Sequence, residues 1–197
     1  MKRIHEYKKL FEIEKDIRKK NELLIISASR INKVKGLNYL LEAIAKIKSD
    51  TEILFKYVMV GDGPELDKLK LLAKELGVLD RVSFVGHQNN VISWLESADI
   101  FVLPSLSECH SIALLEAMRS GKAILATDVG GNGESVRDQK EGLLIPSKKV
   151  NELSISLLKL LEDSNVRIQY GKAAKARFEN NFTEQIMKRK TLKILKS

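Results

Sequence analysis

From residue 23 onward, short apolar runs alternate with longer stretches in which apolar residues recur every three or four positions. The runs Leu23 to Ala28, Phe55 to Val60, Val82 to Val85, Ile100 to Leu103, Ala123 to Ala126 and Leu143 to Ile145 are short and apolar at successive positions. That pattern predicts six strands buried on both faces. Between them, Leu37, Leu40, Leu41, Ile44 and Ile47 fall at helical spacing, as do Leu66, Leu69, Leu72, Ala73 and Leu76. Pro64 suits a first helical turn and Gly77 a helix stop. At the ends, Ile4, Tyr7, Phe11 and Ile17 predict an amphipathic helix before the first strand. Asn151 to Leu161, Val166 to Phe178 and Thr183 to Leu195 predict three helices after the last. No internal repeat appears beyond the alternation itself. The expected division is an amino-terminal helix or inter-domain remnant over 1–22, one α/β domain over 23–182, and a basic helix over 183–197.

Strands that alternate with helices in this way predict an α/β fold: a doubly wound, parallel, six-stranded Rossmann-like sheet with extra terminal helices. With strand order 3-2-1-4-5-6, the first and fourth strands are neighbours and ligands bind beyond their carboxyl ends. Two loops then meet at that crevice, Arg30 to Lys35 and Ser105 to Ser111, with Asp128 to Gly133 beside them. Arg30 and Lys35 are cations suited to a diphosphate, one as a planar fork and one as a point charge. Glu108 and Glu116 stand eight residues apart, but so do Glu6 and Glu14, and spacing alone selects neither pair. Position does, because a helix starting near Ser111 aims free backbone amides at the crevice. Glu116 then faces ribose hydroxyls, and Glu108 the hydroxyls of an attached sugar. Gly61-Asp62-Gly63-Pro64 follows the second strand and lacks the glycine spacing of a dinucleotide fingerprint. It is expected as a strand-to-helix turn, with a place in the crevice wall as the alternative.

With 197 residues, 44% of them hydrophobic, there is material for one cored domain. The lone cysteine, Cys109, has no internal disulfide partner, and residues 1–20 lack the apolar stretch of a signal peptide. No apolar run approaches the roughly 20 residues of a membrane span, so a cytoplasmic location is expected. The net charge of +8 is uneven: residues 1–20 carry +4, residues 165–197 carry +7, and the middle carries −3. Basic ends of this kind are either solvated helical faces or surfaces for a partner domain or anionic lipid heads at the inner face of a membrane. No nucleic-acid motif accompanies the charge, and no nucleic-acid partner is expected.

Pro104-Ser105-Leu106-Ser107-Glu108-Cys109-His110-Ser111-Ile112-Ala113-Leu114-Leu115-Glu116-Ala117-Met118, continuing through Gly121 to Thr127-Asp128-Val129-Gly130-Gly131 and Glu134, resembles the signature of the retaining GT-B glycosyltransferases called group 1 or family 4. Ser29-Arg30, Lys35-Gly36, Val60-Gly61-Asp62-Gly63-Pro64 and Val82-Ser83-Phe84-Val85-Gly86 agree with it in order and approximate spacing, and the likeness covers roughly residues 23–182. The resemblance implies one half of a GT-B fold that binds a nucleotide-sugar donor. It implies Arg30, Lys35 and Glu108 as the catalytic set, with Arg30 and Lys35 on the diphosphate and Glu108 near the transferred sugar. Glu116 is implied on the ribose, the backbone around Ser111 and Ile112 on phosphate and sugar, and the loop at Val85 and Gly86 on the base. No metal and no other cofactor is implied. Two departures stand out: Cys109-His110-Ser111 replaces the family's glycine, aromatic residue and glycine, and nothing before residue 23 is long enough for an acceptor domain. The expectation is therefore a donor half whose amino-terminal acceptor domain acts in cis or as a separate chain. A non-catalytic nucleotide-sugar-binding module and a nucleotide-sugar epimerase are the alternatives.

Overall fold

A computed structural model describes residues 21–195. The expected amino-terminal helix, with Ile4, Tyr7, Phe11 and Ile17, and the Glu6 and Glu14 pair lie outside the described residues. Six strands, β1 (Leu23–Ala28), β2 (Phe55–Val60), β3 (Val82–Phe84), β4 (Ile100–Leu103), β5 (Ala123–Thr127) and β6 (Gly142–Ile145), form one sheet in the order β3-β2-β1-β4-β5-β6. Every pairing is parallel. The sheet is the one the apolar runs predict, because a strand buried on both faces reads as an unbroken apolar run.

Among the described residues, eight α-helices follow or connect the strands: α1 (Leu37–Lys48), α2 (Leu66–Glu75), α3 (Val91–Ser97), α4 (Ile112–Arg119), α5 (Asn132–Ser135), α6 (Val150–Glu162), α7 (Ser164–Asn181) and α8 (Glu184–Leu195). Successive residues of β1 serve opposite sides. Ile25 packs in a core with Leu40, Leu41 and Ile44 of α1, Ala73 of α2 and Leu157 of α6. Leu24 and Ile26 pack in a second core with Leu95 of α3, Leu114 and Met118 of α4 and Ala174 of α7. Each fully buried leucine, isoleucine or methionine among them contributes about 1.5–3 kcal/mol of transfer free energy. The last helix is different: none of the residues of α8 is buried.

Gly77 ends α2 as expected, in a left-handed conformation, its amide and that of Val78 satisfying the carbonyls of Lys74 and Ala73. Pro64 does not enter the helix. The Glu65 amide is drawn to the Ile31 carbonyl at 3.3 Å, so the chain turns once more and α2 begins at Leu66. Val85 likewise falls just past β3, although its amide still bonds to the Met59 carbonyl at 3.2 Å.

Candidate functional site

Ile25 and Ile26 of β1 pair with Ile100 and Phe101 of β4, and from this seam the crossovers leave in opposite directions. A cleft of about 520 Å³ opens beyond the carboxyl ends of the strands on the α3 and α4 side. Ser29 and Arg30 line it from the loop after β1, Gly61 and Asp62 from the loop after β2, and Ile112, Ala113 and Glu116 from α4. His87, Gln88 and Val91 close its far end.

The start of α4 is built for this mouth. Ser111 is extended and caps the helix, its hydroxyl accepting the Leu114 amide at 3.3 Å, which leaves the earlier amides of the first turn for a ligand. Ile112, 72% exposed, sits at the entrance. Glu116 follows one turn on and is half-buried. Its carboxylate makes no hydrogen bond or ion pair among the described residues, and loss of water raises its pKa against the weaker pull of Arg119. Arg30 is exposed and its guanidinium is likewise unpaired among the described residues. An acceptor and a cation thus line one cleft with neither committed to the protein.

Lys35 and Glu108 are committed to each other. Lys35 closes a 3-10 turn (Lys33–Lys35) that ends at Gly36, and Gly36 lies so close to the loop after β4 that a Cβ there would collide with the Pro104 carbonyl. The Leu106 amide bonds to the Val34 carbonyl at 2.7 Å, lacing the two loops together. Lys35 Nζ then reaches Glu108 Oε1 at 2.5 Å, and Ser105 Oγ donates to the same oxygen at 2.7 Å. From the other side Gly130, at φ +50°, presses on the Glu108 backbone: any Cβ would overlap the Glu108 carbonyl oxygen. The Gly131 amide donates to the Cys109 carbonyl at 3.0 Å. All three loops expected at the crevice meet here.

Arg30, Ile112 and Glu116 therefore line the cleft, while Lys35, Glu108 and Ser111 stand outside its lining. Val85 and Gly86 hold the loop by their carbonyls, which accept from Gln88 Nε2 and the Gly61 amide, each at 2.8 Å. The next two residues, His87 and Gln88, enter the cleft in their place. His87, Gln88 and Val91 are cleft residues that sequence reasoning did not single out. The readable signal was the strand end at Phe84 followed by Gly86, which marks the loop but not which of its side chains turn inward. Gly61-Asp62-Gly63-Pro64 is both the expected turn and, through Gly61 and Asp62, part of the wall. Cys109 and His110 are exposed, the histidine ring 6.1 Å from that of Phe182. Among the described residues no group of three or more His, Cys, Asp or Glu is placed to hold a metal ion, and no helix is long and apolar enough to cross a membrane.

Residues 9–177 match the family model for "Glycosyl transferases group 1". The N-acetyl-alpha-D-glucosaminyl L-malate synthase of Bacillus anthracis is 33% identical over 84% of this chain and 43% of that protein. The chain thus spans less than half the length of the curated relatives it matches. Among solved structures, the C-terminal domain of a glycosyl transferase group 1 family protein (LpcC) from Francisella tularensis superposes with a TM-score of 0.79 at 26% identity, over 90% of this chain and 93% of that one. Anabaena Alr3699/HepE in complex with UDP-glucose shares the fold with a TM-score of 0.87 at 22% identity, over 96% of this chain and 52% of that one.

Proposed function

The chain belongs to the group 1 glycosyl transferases, and we propose that it is the donor-binding half of a retaining member, which moves a sugar from a nucleoside diphosphate to an acceptor with the anomeric configuration kept. The observation that carries this reading is the unpaired Arg30 and Glu116 in one cleft, with the Lys35–Glu108 pair beside it. In this reading Arg30 and Lys35 neutralise the departing diphosphate with preorganised charge, a task that then needs no divalent cation. Glu116 accepts from the ribose, Glu108 from the transferred sugar, and the amides near Ser111 and Ile112 hold phosphate. The loop of Val85 and Gly86, which delivers His87 and Gln88, frames the base. The HepE complex makes UDP-sugars the first donors to try.

The acceptor is held by a second, amino-terminal-type domain, in cis or as a separate chain. In favour of a partner, α8 leaves Met187, Leu192, Ile194 and Leu195 exposed, with an apolar hollow of about 660 Å³ along Phe182, Met187 and Leu192. The reading places the enzyme in the cytoplasm, with its basic carboxyl end available to the inner face of a membrane. The epimerase alternative finds no support in the relatives.

Calorimetry without added metal tests the donor site. A nucleoside diphosphate should bind better than its monophosphate, and Arg30→Ala or Lys35→Ala should each remove about 1.5–3 kcal/mol of that binding. Equal affinities for the two nucleotides, or binding untouched by both substitutions, would take Arg30 and Lys35 out of the site. A labelled-donor assay tests the division of labour. Without an acceptor half, transfer should stay at trace level, since lost positioning of the acceptor hydroxyl can cost about 7–11 kcal/mol of the barrier. Brisk transfer by the chain alone would overturn the half-enzyme reading. Tight donor binding that yields no transfer even with an acceptor half would make the chain a non-catalytic module.

A further inference from the structure

We propose that Ser105 is a positioning residue for Glu108: it fixes one carboxylate oxygen inside the protein and so turns the other toward the donor sugar. The proposal rests on the donor-binding reading above. Ser105 is 0% exposed and follows β4 by two residues. Other buried serines of this molecule, Ser27, Ser97 and Ser154, give their hydroxyl protons to main-chain carbonyls. Ser105 gives its proton to Glu108 Oε1 at 2.7 Å. The serine is itself held: Thr127, at the end of neighbouring β5, donates to the Ser105 carbonyl at 2.6 Å. A chain of contacts therefore runs from β5 through Ser105 to the carboxylate.

The division between the two oxygens of Glu108 follows from this geometry. Oε1 receives both Lys35 and Ser105, whereas Oε2 makes no hydrogen bond among the described residues and is not one of the sealed, unpaired polar atoms of the interior. Oε2 is thus the oxygen left to accept from a ligand hydroxyl. Lys35 is shared, because a diphosphate competes for the same ammonium. Ser105 carries no charge, lies out of reach of solvent, and stays on Oε1 when Lys35 is drawn away. Without it, the bound state would leave Glu108 free to rotate about its side-chain bonds at the moment its direction matters, since a carboxylate acts on a sugar only from a fixed angle.

Titration calorimetry on the chain as it stands tests this with UDP-glucose and UDP-N-acetylglucosamine against UDP, and GDP-mannose against GDP, with thermal melting of every variant. Ser105→Ala should weaken the sugar nucleotide that binds by about tenfold, equivalent to about 1.4 kcal/mol, and the matching free diphosphate by less than about twofold. Ser105→Thr, which keeps the hydroxyl, should restore the sugar-specific part of the affinity. Thr127→Val should shift the same ratio in the same direction by a smaller factor. Glu108→Gln is the reference. If it loses sugar-nucleotide affinity selectively and Ser105→Ala does not, Ser105 has no positioning role. The same conclusion follows if Ser105→Ala weakens both ligands alike, or if a Ser105→Thr protein that melts like the parent fails to recover. If Glu108→Gln is itself unselective, or no sugar nucleotide binds, the donor-binding reading fails first and takes this proposal with it.

Discussion

Two glutamates withdrawn from water are treated in opposite ways by this fold. Glu141, 2% exposed just before β6, accepts from the Arg137 amide at 2.9 Å and from the Arg137 guanidinium, and is ion-paired with Arg177 of α7 at 4.0 Å. Burial pushes its carboxyl up, but the hydrogen bonds from Arg137 together with the charges of Arg137 and Arg177 outweigh burial and hold it below the usual glutamate range. Arg177 in turn donates to the carbonyls of Glu134 and Ser135 at 2.8 and 2.7 Å, so the cluster knots α7 to the chain around α5. Glu116 has no such retinue, and burial leaves its carboxyl above the usual range. A shielded carboxylate supplied with its own cations ties structure together, whereas one left without them is poised to accept from something else.

Substitutions by glutamine separate the two. The largest effect is expected at Glu141, where Glu141→Gln removes charge-assisted hydrogen bonds and should cost about 2–3 kcal/mol, or about 4–12 °C in Tm. Nucleotide affinity well below the transition should hardly change. At Glu116 the order reverses: Glu116→Gln should weaken every ribonucleotide by about fivefold to tenfold while leaving Tm unchanged or slightly higher. A fall in Tm matching that of Glu141→Gln would make Glu116 a structural group, and loss confined to sugar nucleotides would move it off the ribose.

The smallest and sharpest difference lies in pH. Glu141, with its folded pKa depressed, contributes stability that is present above the unfolded value and lost as pH falls through the folded one. Glu116, with its folded pKa raised, has the opposite sign: the folded state holds the extra proton, and stability declines as pH rises from the ordinary glutamate value through the raised one. Denaturation series across the acid range should therefore show Glu141→Gln flattening the loss on the low side and Glu116→Gln flattening the decline on the high side. Profiles that change in the same direction would show that the two groups do not differ in the folded state.

The fold was legible where burial writes a continuous signal. Leu23–Ala28 and Phe55–Val60 are strands to the residue because both of their faces are covered. Periodicity also marked α8, but it could not show that Met187, Leu192 and Ile194 would stay exposed, since an apolar stripe does not say whether its cover is in the same chain. Within the site, Arg30 and Glu116 were singled out from loop and helix position and Ile112 through the family resemblance, and one cleft is lined by all three. The Lys35–Glu108 ion pair was out of reach, because 73 residues separate the partners and only the crossing of two loops brings them together. Val85 and Gly86 missed the cleft lining by one or two positions, a matter of how a tight turn directs consecutive side chains. Glu141 gave no warning at all. Arg137 stands four residues away in a stretch with no helical period.

Gly36 and Gly130 hold the three loops by their approach to the main chain of Pro104 and Glu108, whose carbonyl oxygens are the nearest atoms in each case. Every amino acid offers the same carbonyl, so the joint is indifferent to what its neighbours display. Under selection this separates two kinds of position. Gly36 and Gly130 should be the least tolerant sites in a saturation scan of the loops, while the exposed Cys109 and His110 between them can be exchanged without disturbing the joint. Side chains at this rim can therefore vary while the framework stays constant, which is where Cys109 and His110 stand.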